Sequence, residues 1–457
     1  MPKIKKKKKH GKLDRNLPVM KPNAGGIDVG AREIFVAVPA DRDKDSVQSF
    51  PTFTEDLHRL ADWLKRCRVD TVAMESTGVY WIPLFQILEA RGIEVCLVNA
   101  QHVHQVPGRK SDVLDCQWLQ YLHSVGLLKA SFRPEQDVCA IRSLLRHREG
   151  LVQMGSTHVQ HMHKALDQMN IQIHHVISDI TGVTGLAIVD AIVEGKRNPK
   201  ELAKLRDHRI KAGAETITKS LVGDYRPEHI FTLKQSLTAY RYYQQLIADC
   251  EQEVQQRLHA FDNREDDNKA DPGSTATTVS DGSTITPQAP FHLPSHLERI
   301  FGVDLTRIPG FQVLRIQTIF SEIGADLSKF PSDAHFISWL NLCSKDGFSA
   351  GRRIRNRNMK TKNRVTTAFR LAAQSLHNDK SYLGGFYRSQ RARHGAPKAI
   401  KNAAHKLARI FYHLVTTRKS YDESVFAQQE VRNQKRRLHK LQSLAKQMGY
   451  SLVEAHA

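Results

Sequence analysis

Residues 25–38 read GGIDVGAREIFVAV, and this stretch decides the fold of the first part of the chain. Two apolar runs, Gly26–Val29 and Phe35–Val38, flank a short polar turn, and this pattern predicts a β-hairpin. Two more runs of strand length follow at Val69–Met74 and Ile93–Val98, and they predict further buried strands.

Helical stretches precede the two later strands, around Glu55–Arg66 and Pro83–Arg91. Strands that alternate with helices are typical of parallel pairing with crossover helices. We therefore expect a hairpin that leads into parallel strands, which makes residues 23–130 an α/β domain.

Acidic residues interrupt this apolar pattern. Asp28 lies within the first strand, and Glu75 ends the third. A carboxylate in an apolar strand is costly to bury unless its charge is compensated. Asp112 and Asp115 follow the last strand, and Ser111 is a suitable N-cap, so these two acids would lie on one face of a helix at i and i+3.

Each of these acids alone has a common structural explanation. An Asp in an Asp-x-Gly sequence often belongs to a turn, and acids at a helix start stabilise the helix dipole. Four carboxylates that converge at strand ends and on one helix face would nevertheless repel each other. Mg²⁺ removes such repulsion, and two ions can activate a nucleophile and stabilise the leaving oxygen of a phosphodiester. The combination predicts a magnesium-dependent site for phosphoryl transfer.

The charge of the chain points to nucleic acid. Lys and Arg number 68 against 47 Asp and Glu, which gives a formal charge of +21. An anionic membrane would fit the sign of this charge, but the sequence has no apolar run of membrane-spanning length, so we expect a soluble, cytoplasmic, nucleoid-associated protein. Six scattered cysteines without a CxxC pair argue against a zinc ribbon or a disulfide framework.

Composition divides the rest of the chain. We predict a disordered basic arm over residues 1–22, a helical coiled-coil module over 131–261, a flexible acidic linker over 262–291, a second, mostly helical unit over 292–417 and a charged C-terminal helix over 418–457. Two apolar seams mark the module, and they are expected to pack on each other or on a second copy of the protein: Val159, Met162, Leu166, Met169, Ile173 and Val176, and then Leu233, Leu237, Tyr240, Ile247, Val254 and Leu258.

A serine in the second unit lies among cations. Ser349 belongs to the stretch FSAGRR, and residues 351–409 hold sixteen Lys and Arg against one acid, Asp379. Such a field binds phosphates and favours a serine alkoxide that attacks phosphorus. From the residues alone, Ser349 is either a phosphate-binding donor or a nucleophile. Two readings also remain open for Ile308-Pro309-Gly310: a backbone contact to a DNA phosphate, or a packing element. His158, His161 and His163 spread around their helix and are not expected to bind a metal.

The sequence resembles the DEDD transposases of bacterial insertion sequences, which are recombinases guided by a bridge RNA. The resemblance covers nearly the whole chain after the basic arm. Its motifs are GIDVG (residues 26–30), ESTG (75–78), PGRKSDVLD (107–115), IPG (308–310), EIG (322–324) and the stretch that begins at Leu342-Cys343. The family has Ser-Gly-Gly where this chain has Ser349-Ala350-Gly351.

This resemblance implies a multidomain α/β plus α protein, with a RuvC-like (ribonuclease H-like) catalytic domain and a mostly helical transposase domain. It implies that Asp28, Glu75, Asp112 and Asp115 bind Mg²⁺ as a tetrad, with Mn²⁺ as a substitute, and that Ser349 forms a covalent phosphoserine intermediate. Expected partners are element-end and target DNA, a guide RNA encoded by the element, and further copies of the chain in a homodimer or homotetramer. Expected nucleic-acid contacts are Arg109, Lys110, Arg352, Arg353, Arg355, Arg357, Lys360 and Lys362.

Three other functions can be compared with this one. A RuvC-like nuclease, in which water attacks, would need only the first domain. An actin-like nucleotide-binding protein would need a second phosphate loop and a glycine-rich adenosine site, and neither is evident. A nucleic-acid packaging protein would leave the four acids in apolar elements unexplained.

Overall fold

The structure is a computed structural model that describes residues 17–76, 78–99, 112–267, 293–343, 346–349, 352–355 and 363–426, and positions 435, 438, 439 and 441–450 near the C-terminus. The chain forms two compact units, which meet in sequence between Arg133 and Pro134.

A five-stranded sheet organises the first unit. Its strands are β1 (Ala24–Val29), β2 (Glu33–Ala37), β3 (Val47–Pro51), β4 (Thr71–Glu75) and β5 (Glu94–Val98). They lie in the order β3-β2-β1-β4-β5. The first three pair antiparallel, and β4 and β5 continue parallel to β1. This is the ribonuclease H-like arrangement of a RuvC-like domain, as the sequence predicts.

Helices cover both faces of this sheet. On one face, α1 (Thr54–Arg66) and α2 (Trp81–Ala90) enclose an apolar core that includes Ile27, Leu60 and Met74. On the other face, α3 (Asp112–Ser124) packs on a smaller cluster formed by Ala73, Cys96, Val98, Leu119 and Leu122. Strand residues alternate between the faces, so each strand contributes to both cores.

The apolar pattern of the sequence does not indicate β3. Its residues, VQSFP, contain only two apolar side chains of strand type, and the strand ends on a proline. It pairs on one side only, with β2, and an edge strand of this kind needs no continuous apolar run.

Two long helices form the centre of the second unit. They are α4 (Gln136–Gln168) and α8 (Pro227–Asp267), and between them lie α5 (Val183–Val193), α6 (Pro199–Lys204), α7 (Ala214–Ser220) and a 3-10 turn at Ile173–His175. Leu166, Met169 and Leu237 share one buried cluster with the short helices. The seams thus pack on each other and on the short helices within one chain.

One detail of the coiled-coil prediction is wrong. The first seam does not continue through Ile173 and Val176, because α4 ends at Gln168 and Asn170 adopts a left-handed backbone with φ +54°. Leu166 and Met169 are fully buried within one protomer, so they have no surface left for a second copy. Replacing them would damage the fold of the module instead of separating protomers.

The remaining elements belong to the mostly helical part of the second unit. They are α9 (Leu293–Phe301), a 3-10 turn (Leu305–Arg307), α10 (Val313–Ile323), α11 (Asp333–Trp339), the hairpin β6 (Asp346–Ser349) and β7 (Arg352–Arg355), α12 (Arg364–Ser375), α13 (Tyr382–His394), α14 (Ala396–Thr417) and a 3-10 turn (Glu423–Phe426). Their core is aromatic, with the Phe336, Phe369 and Phe411 rings in mutual contact.

The structure gives the Ile-Pro-Gly motif a packing contact at Gly310. Its backbone has φ +90°, and a Cβ at this position would lie 2.5 Å from the carbonyl oxygen of Ala372. Its own carbonyl accepts a hydrogen bond from Arg315 at 2.6 Å. The motif therefore brings the start of α10 against α12.

The predicted linker and terminal helix are only partly described. Residues 262–267 continue α8, and the rest of the predicted linker lies outside the described residues, as does most of the basic arm. The charged helix predicted from residue 418 does not begin there, because Arg418 is left-handed and a 3-10 turn follows. No helix of the described part is long and apolar enough to cross a bilayer.

Candidate functional site

Asp28 and Glu75 lie side by side at the ends of neighbouring parallel strands. The β1–β4 register pairs Ile27 with Met74, so the next position brings Asp28 level with Glu75. Neighbouring strands are about 4.8 Å apart, and level residues of parallel strands point to the same face. Glu75 is only 8% exposed, and Asp28 is partly buried.

The face that carries these two acids is the face covered by α3. Gly26 precedes Asp28 by two residues and shares its face, and a Cβ on Gly26 would lie 2.2 Å from the carbonyl oxygen of Cys116. Only glycine permits this close approach of strand and helix. The Gln120 side-chain amide also donates to the carbonyl of Ala24, at 3.2 Å.

Asp115 lies on α3 within electrostatic range of the same region. Burial is the main factor that raises the pKa of the neighbouring Cys116 thiol, to about 12, and the negative charges of Asp28 and Asp115 raise it further. A carboxylate on the sheet and a carboxylate on the helix are therefore both close enough to affect the pKa of the Cys116 thiol. Asp112 begins α3 three residues earlier, and its side chain lies outside the described part.

The donor atoms of these acids suit a divalent metal ion. Asp28, Glu75 and Asp115 offer only carboxylate oxygens, which hard cations such as Mg²⁺ prefer. Among the residues that the structure describes, no three Asp, Glu, His or Cys side chains are gathered closely enough to hold a metal ion. Asp112 would be the fourth acid of the set, so the described geometry covers three members of the predicted tetrad.

A buried histidine supports the same helix, and no motif in the sequence indicates it. His123, near the end of α3, is 2% exposed, and its Nε2 shares a hydrogen bond of 2.9 Å with the Thr71 hydroxyl at the start of β4. Burial lowers the pKa of His123 to about 4, and the positive charge of Lys21 lowers it further. The imidazole is therefore neutral at physiological pH and joins α3 to the strand that ends in Glu75.

Ser349 occupies the end of a strand in the second unit. The hairpin register pairs the Ser349 backbone with Arg352, Phe348 with Arg353, and Asp346 with Arg355. An arginine is thus the cross-strand neighbour of each of these three positions. The side chains of the hairpin lie outside the described part of the structure. Ser349 is thus the last residue of β6, and positions 350 and 351, which follow it, lie outside the described residues.

The helix that follows this hairpin is anchored by ion pairs within the second unit. Arg364, the first residue of α12, pairs with Glu149 on α4 at 2.5 Å. Glu322 on α10, with an 11% exposed side chain, accepts two-pronged hydrogen bonds from Arg146 at 2.8–3.1 Å. These contacts hold α10 and α12 against α4.

Most of the predicted nucleic-acid contacts are not described. Arg109, Lys110, Arg357, Lys360 and Lys362 lie outside the described residues, and for Arg352, Arg353 and Arg355 only the backbone on β7 is described.

Two family models match the chain. The model DEDD_Tnp_IS110, described as "Transposase", matches residues 25–171, which include nearly all of the sheet, α3 and the whole of α4. The model Transposase_20, described as "Transposase IS116/IS110/IS902 family", matches residues 304–388, which include the serine hairpin. Together the matches cover about half of the chain. No curated protein matches it.

Proposed function

The chain belongs to the IS110-type DEDD transposases, and from this premise we propose that it cleaves and rejoins DNA through a phosphoserine formed by Ser349. As a transposase it acts on DNA, and a DEDD domain implies use of a divalent metal. The proposal adds the identity of the metal, the nucleophile and the guide.

The observation that carries the proposal is the position of Asp28 level with Glu75 beneath α3. Two carboxylates on adjacent strands, and a third on the helix above them, form an unfavourable set for stability alone. With Asp112 at the start of the helix, they would form the metal-binding tetrad. Mg²⁺, as two ions or with Mn²⁺ in its place, would polarise the scissile phosphate and assist removal of the serine proton.

The chain itself would supply the nucleophile and the positive field. The Ser349 hydroxyl loses its proton and attacks phosphorus, the phosphoserine ester forms, and a DNA hydroxyl leaves. The hydroxyl of a partner strand then attacks the same phosphorus and releases Ser349, so the phosphodiester is re-formed without an external energy source. Arg352 and Arg353, beside the serine on the hairpin, favour the phosphate and the alkoxide by their charge.

The resemblance of the chain also supports the choice of partners. A guide RNA from the element would pair with element-end and target DNA, and Arg109, Lys110, Arg355, Arg357, Lys360 and Lys362 would contact nucleic-acid phosphates. Recombination handles two DNA molecules, so a homodimer or homotetramer is the working assembly.

A covalent adduct tests the proposal. The protein is incubated with element DNA, the flanking RNA and Mg²⁺, and denaturing gels are examined for protein linked to DNA. Wild-type protein should form the adduct. Ser349→Ala should form none and should nick no DNA, whereas Ser338→Ala, at an exposed serine on α11, should behave as wild type.

Variants of the four acids of the predicted tetrad provide a second test of the proposal. Asp28→Asn, Glu75→Gln, Asp112→Asn and Asp115→Asn should each abolish cleavage, keep nucleic-acid binding and raise the metal-free melting temperature, because repulsion is relieved. The alternative function is a metal-dependent, structure-specific RuvC-like nuclease in which water attacks. Mg²⁺-dependent nicking by Ser349→Ala would favour that alternative and exclude the phosphoserine.

A further inference from the structure

Two exposed aromatic side chains flank the acidic pair at one edge of the sheet. Phe53 follows β3 and is 78% exposed, and Tyr80 follows β4 and is 50% exposed. Strands β1, β3, β4 and β5 all end at this edge, because β3 and β1 are both antiparallel to β2 and β4 and β5 are parallel to β1.

Neither ring belongs to the buried apolar clusters of the first unit. Phe53 and Tyr80 occupy the N-cap positions of α1 and α2, and neither provides a side-chain cap. Ser, Thr, Asp and Asn are favoured at N-caps, since their oxygens accept from free backbone N–H groups. A large exposed ring at this position contributes little to the core and leaves apolar surface in water.

The backbone that carries the rings is held in place. The Phe53 carbonyl accepts from Leu57 at 3.0 Å, and the Val79 carbonyl accepts from Ile82 at 3.2 Å. Ser76, next to Glu75, donates both its N–H and its hydroxyl to the Val98 carbonyl, at 3.0 and 3.1 Å. The two rings are therefore presented from fixed positions.

In the lateral order of the strands, the acids lie between the segments that carry the rings, and these segments begin the helices of the opposite face. From β3 to β4 the edge carries Phe53, then exposed Arg32 in the β1–β2 turn, then Asp28 beside Glu75, and then Tyr80. Three strand spacings separate β3 from β4, about 14 Å. This distance corresponds to about four stacked nucleotides of one DNA strand.

We propose that Phe53 and Tyr80 stack on unpaired nucleobases of the DNA strand on either side of the scissile phosphate, with Arg32 at the phosphates between them. Aromatic faces stack on bases of any sequence, but only where the duplex is open. The edge would thus hold a locally unpaired strand across the carboxylates. This inference rests on the proposed function, because it assumes that cleavage occurs at Asp28 and Glu75.

Photo-cross-linking tests the proposal with the full-length protein. Element-end DNA carries 5-iododeoxyuridine at single positions beside the cleavage point, and cross-linked peptides are identified by mass spectrometry. Cross-links should map to Phe53 on one side and to Tyr80 on the other. Cross-links confined to exposed aromatics elsewhere, such as Phe231 and Tyr242, would overturn it.

Binding supplies a second measurement that does not depend on cleavage. The probe is oligo(dT) of about 20 nucleotides at about 0.3 M NaCl, where phosphate contacts are weakened. Phe53→Ala and Tyr80→Ala should each raise the Kd about 5-fold or more, and Phe53→Tyr and Tyr80→Phe should retain wild-type affinity. The matched controls Phe231→Ala and Tyr242→Ala should leave the Kd unchanged.

The two proposals fail in different ways. Wild-type affinity of Phe53→Ala and Tyr80→Ala, in protein that still forms the covalent adduct, would overturn the stacking and leave the function intact. Base cross-links to both rings in protein that forms no adduct would overturn the phosphoserine and retain the stacking. Preferential cross-linking of these rings to the flanking RNA instead of the DNA would also overturn the proposal.

Discussion

Replacing Gly26 with alanine tests the architecture of the acidic face. A Cβ at this position would lie 2.2 Å from the Cys116 carbonyl oxygen and 2.3 Å from the Gln120 backbone nitrogen, whereas ordinary contact begins near 3.4 Å. Helix α3 must therefore withdraw by about 1 Å, because neither contact involves a flexible side chain. We expect a loss of about 3 kcal/mol in unfolding free energy and a melting temperature lower by roughly 10 °C.

The shift should affect cleavage as well as stability. A displacement of about 1 Å moves Asp115 relative to Asp28, and misplacement on this scale lowers rates by about 100-fold. Cleavage assays with element DNA would measure the loss of activity. Alkylation of Cys116, detected by mass spectrometry, would measure the displacement of α3 from the sheet.

The adjacent glycine provides a matched control. A Cβ on Gly25 would meet the ends of the Val72 and Val69 side chains at 3.1 and 3.3 Å, and these can yield. Gly25→Ala should therefore remain close to wild type in melting temperature and in cleavage. If Gly26→Ala behaved like Gly25→Ala, the close approach of α3 to β1 would be refuted.

Three further predictions concern other parts of the chain. Because the folded-state pKa of His123 is depressed to about 4, its contribution to stability is present above pH 6.5 and is lost as the pH falls towards 4. Chemical denaturation should therefore show about 2 kcal/mol less stability at pH 5 than at pH 7. His123→Gln should remove most of this difference. Glu322→Gln should lower the unfolding free energy by about 2 kcal/mol, whereas Glu251→Gln, at a more exposed ion pair, should lower it by less than about 1 kcal/mol. Equal losses in the two variants would contradict the role given to burial. Charge reversal at Arg352 and Arg353 should weaken binding to all DNA sequences and reduce the salt dependence by about one unit per lost phosphate contact, and an unchanged salt slope would exclude these arginines from the interface.

The sequence predicts the elements that have strong local signals. The strands around Asp28 and Glu75 and the helices between them are apolar enough to identify, and the acids within them indicate chemistry. Strand β3 is missed because it is an edge strand with few apolar residues, and the end of α4 is missed because Asn170 leaves the helix within a continuous apolar pattern.

The sequence cannot provide contacts between distant segments. The fit of Gly26 against Cys116, the pairing of His123 with Thr71 and the burial of Leu166 inside one chain depend on partners far away in sequence. The alignment of Phe53 and Tyr80 at one edge similarly requires the strand order.

The two faces of β1 are closed by segments at very different distances along the chain, and this has a consequence for folding. The apolar face is covered by α1 and α2, whereas the acidic face is covered by α3. Gln120 on α3 donates its hydrogen bond to Ala24, which lies 96 residues earlier in the chain. Loop closure over the longer span is slower, so during synthesis the apolar layer can form first and the acidic layer last. We expect amide hydrogens of α3 to exchange through partial opening while those of α1 remain protected, which would make the carboxylate layer a separate, less stable cooperative unit.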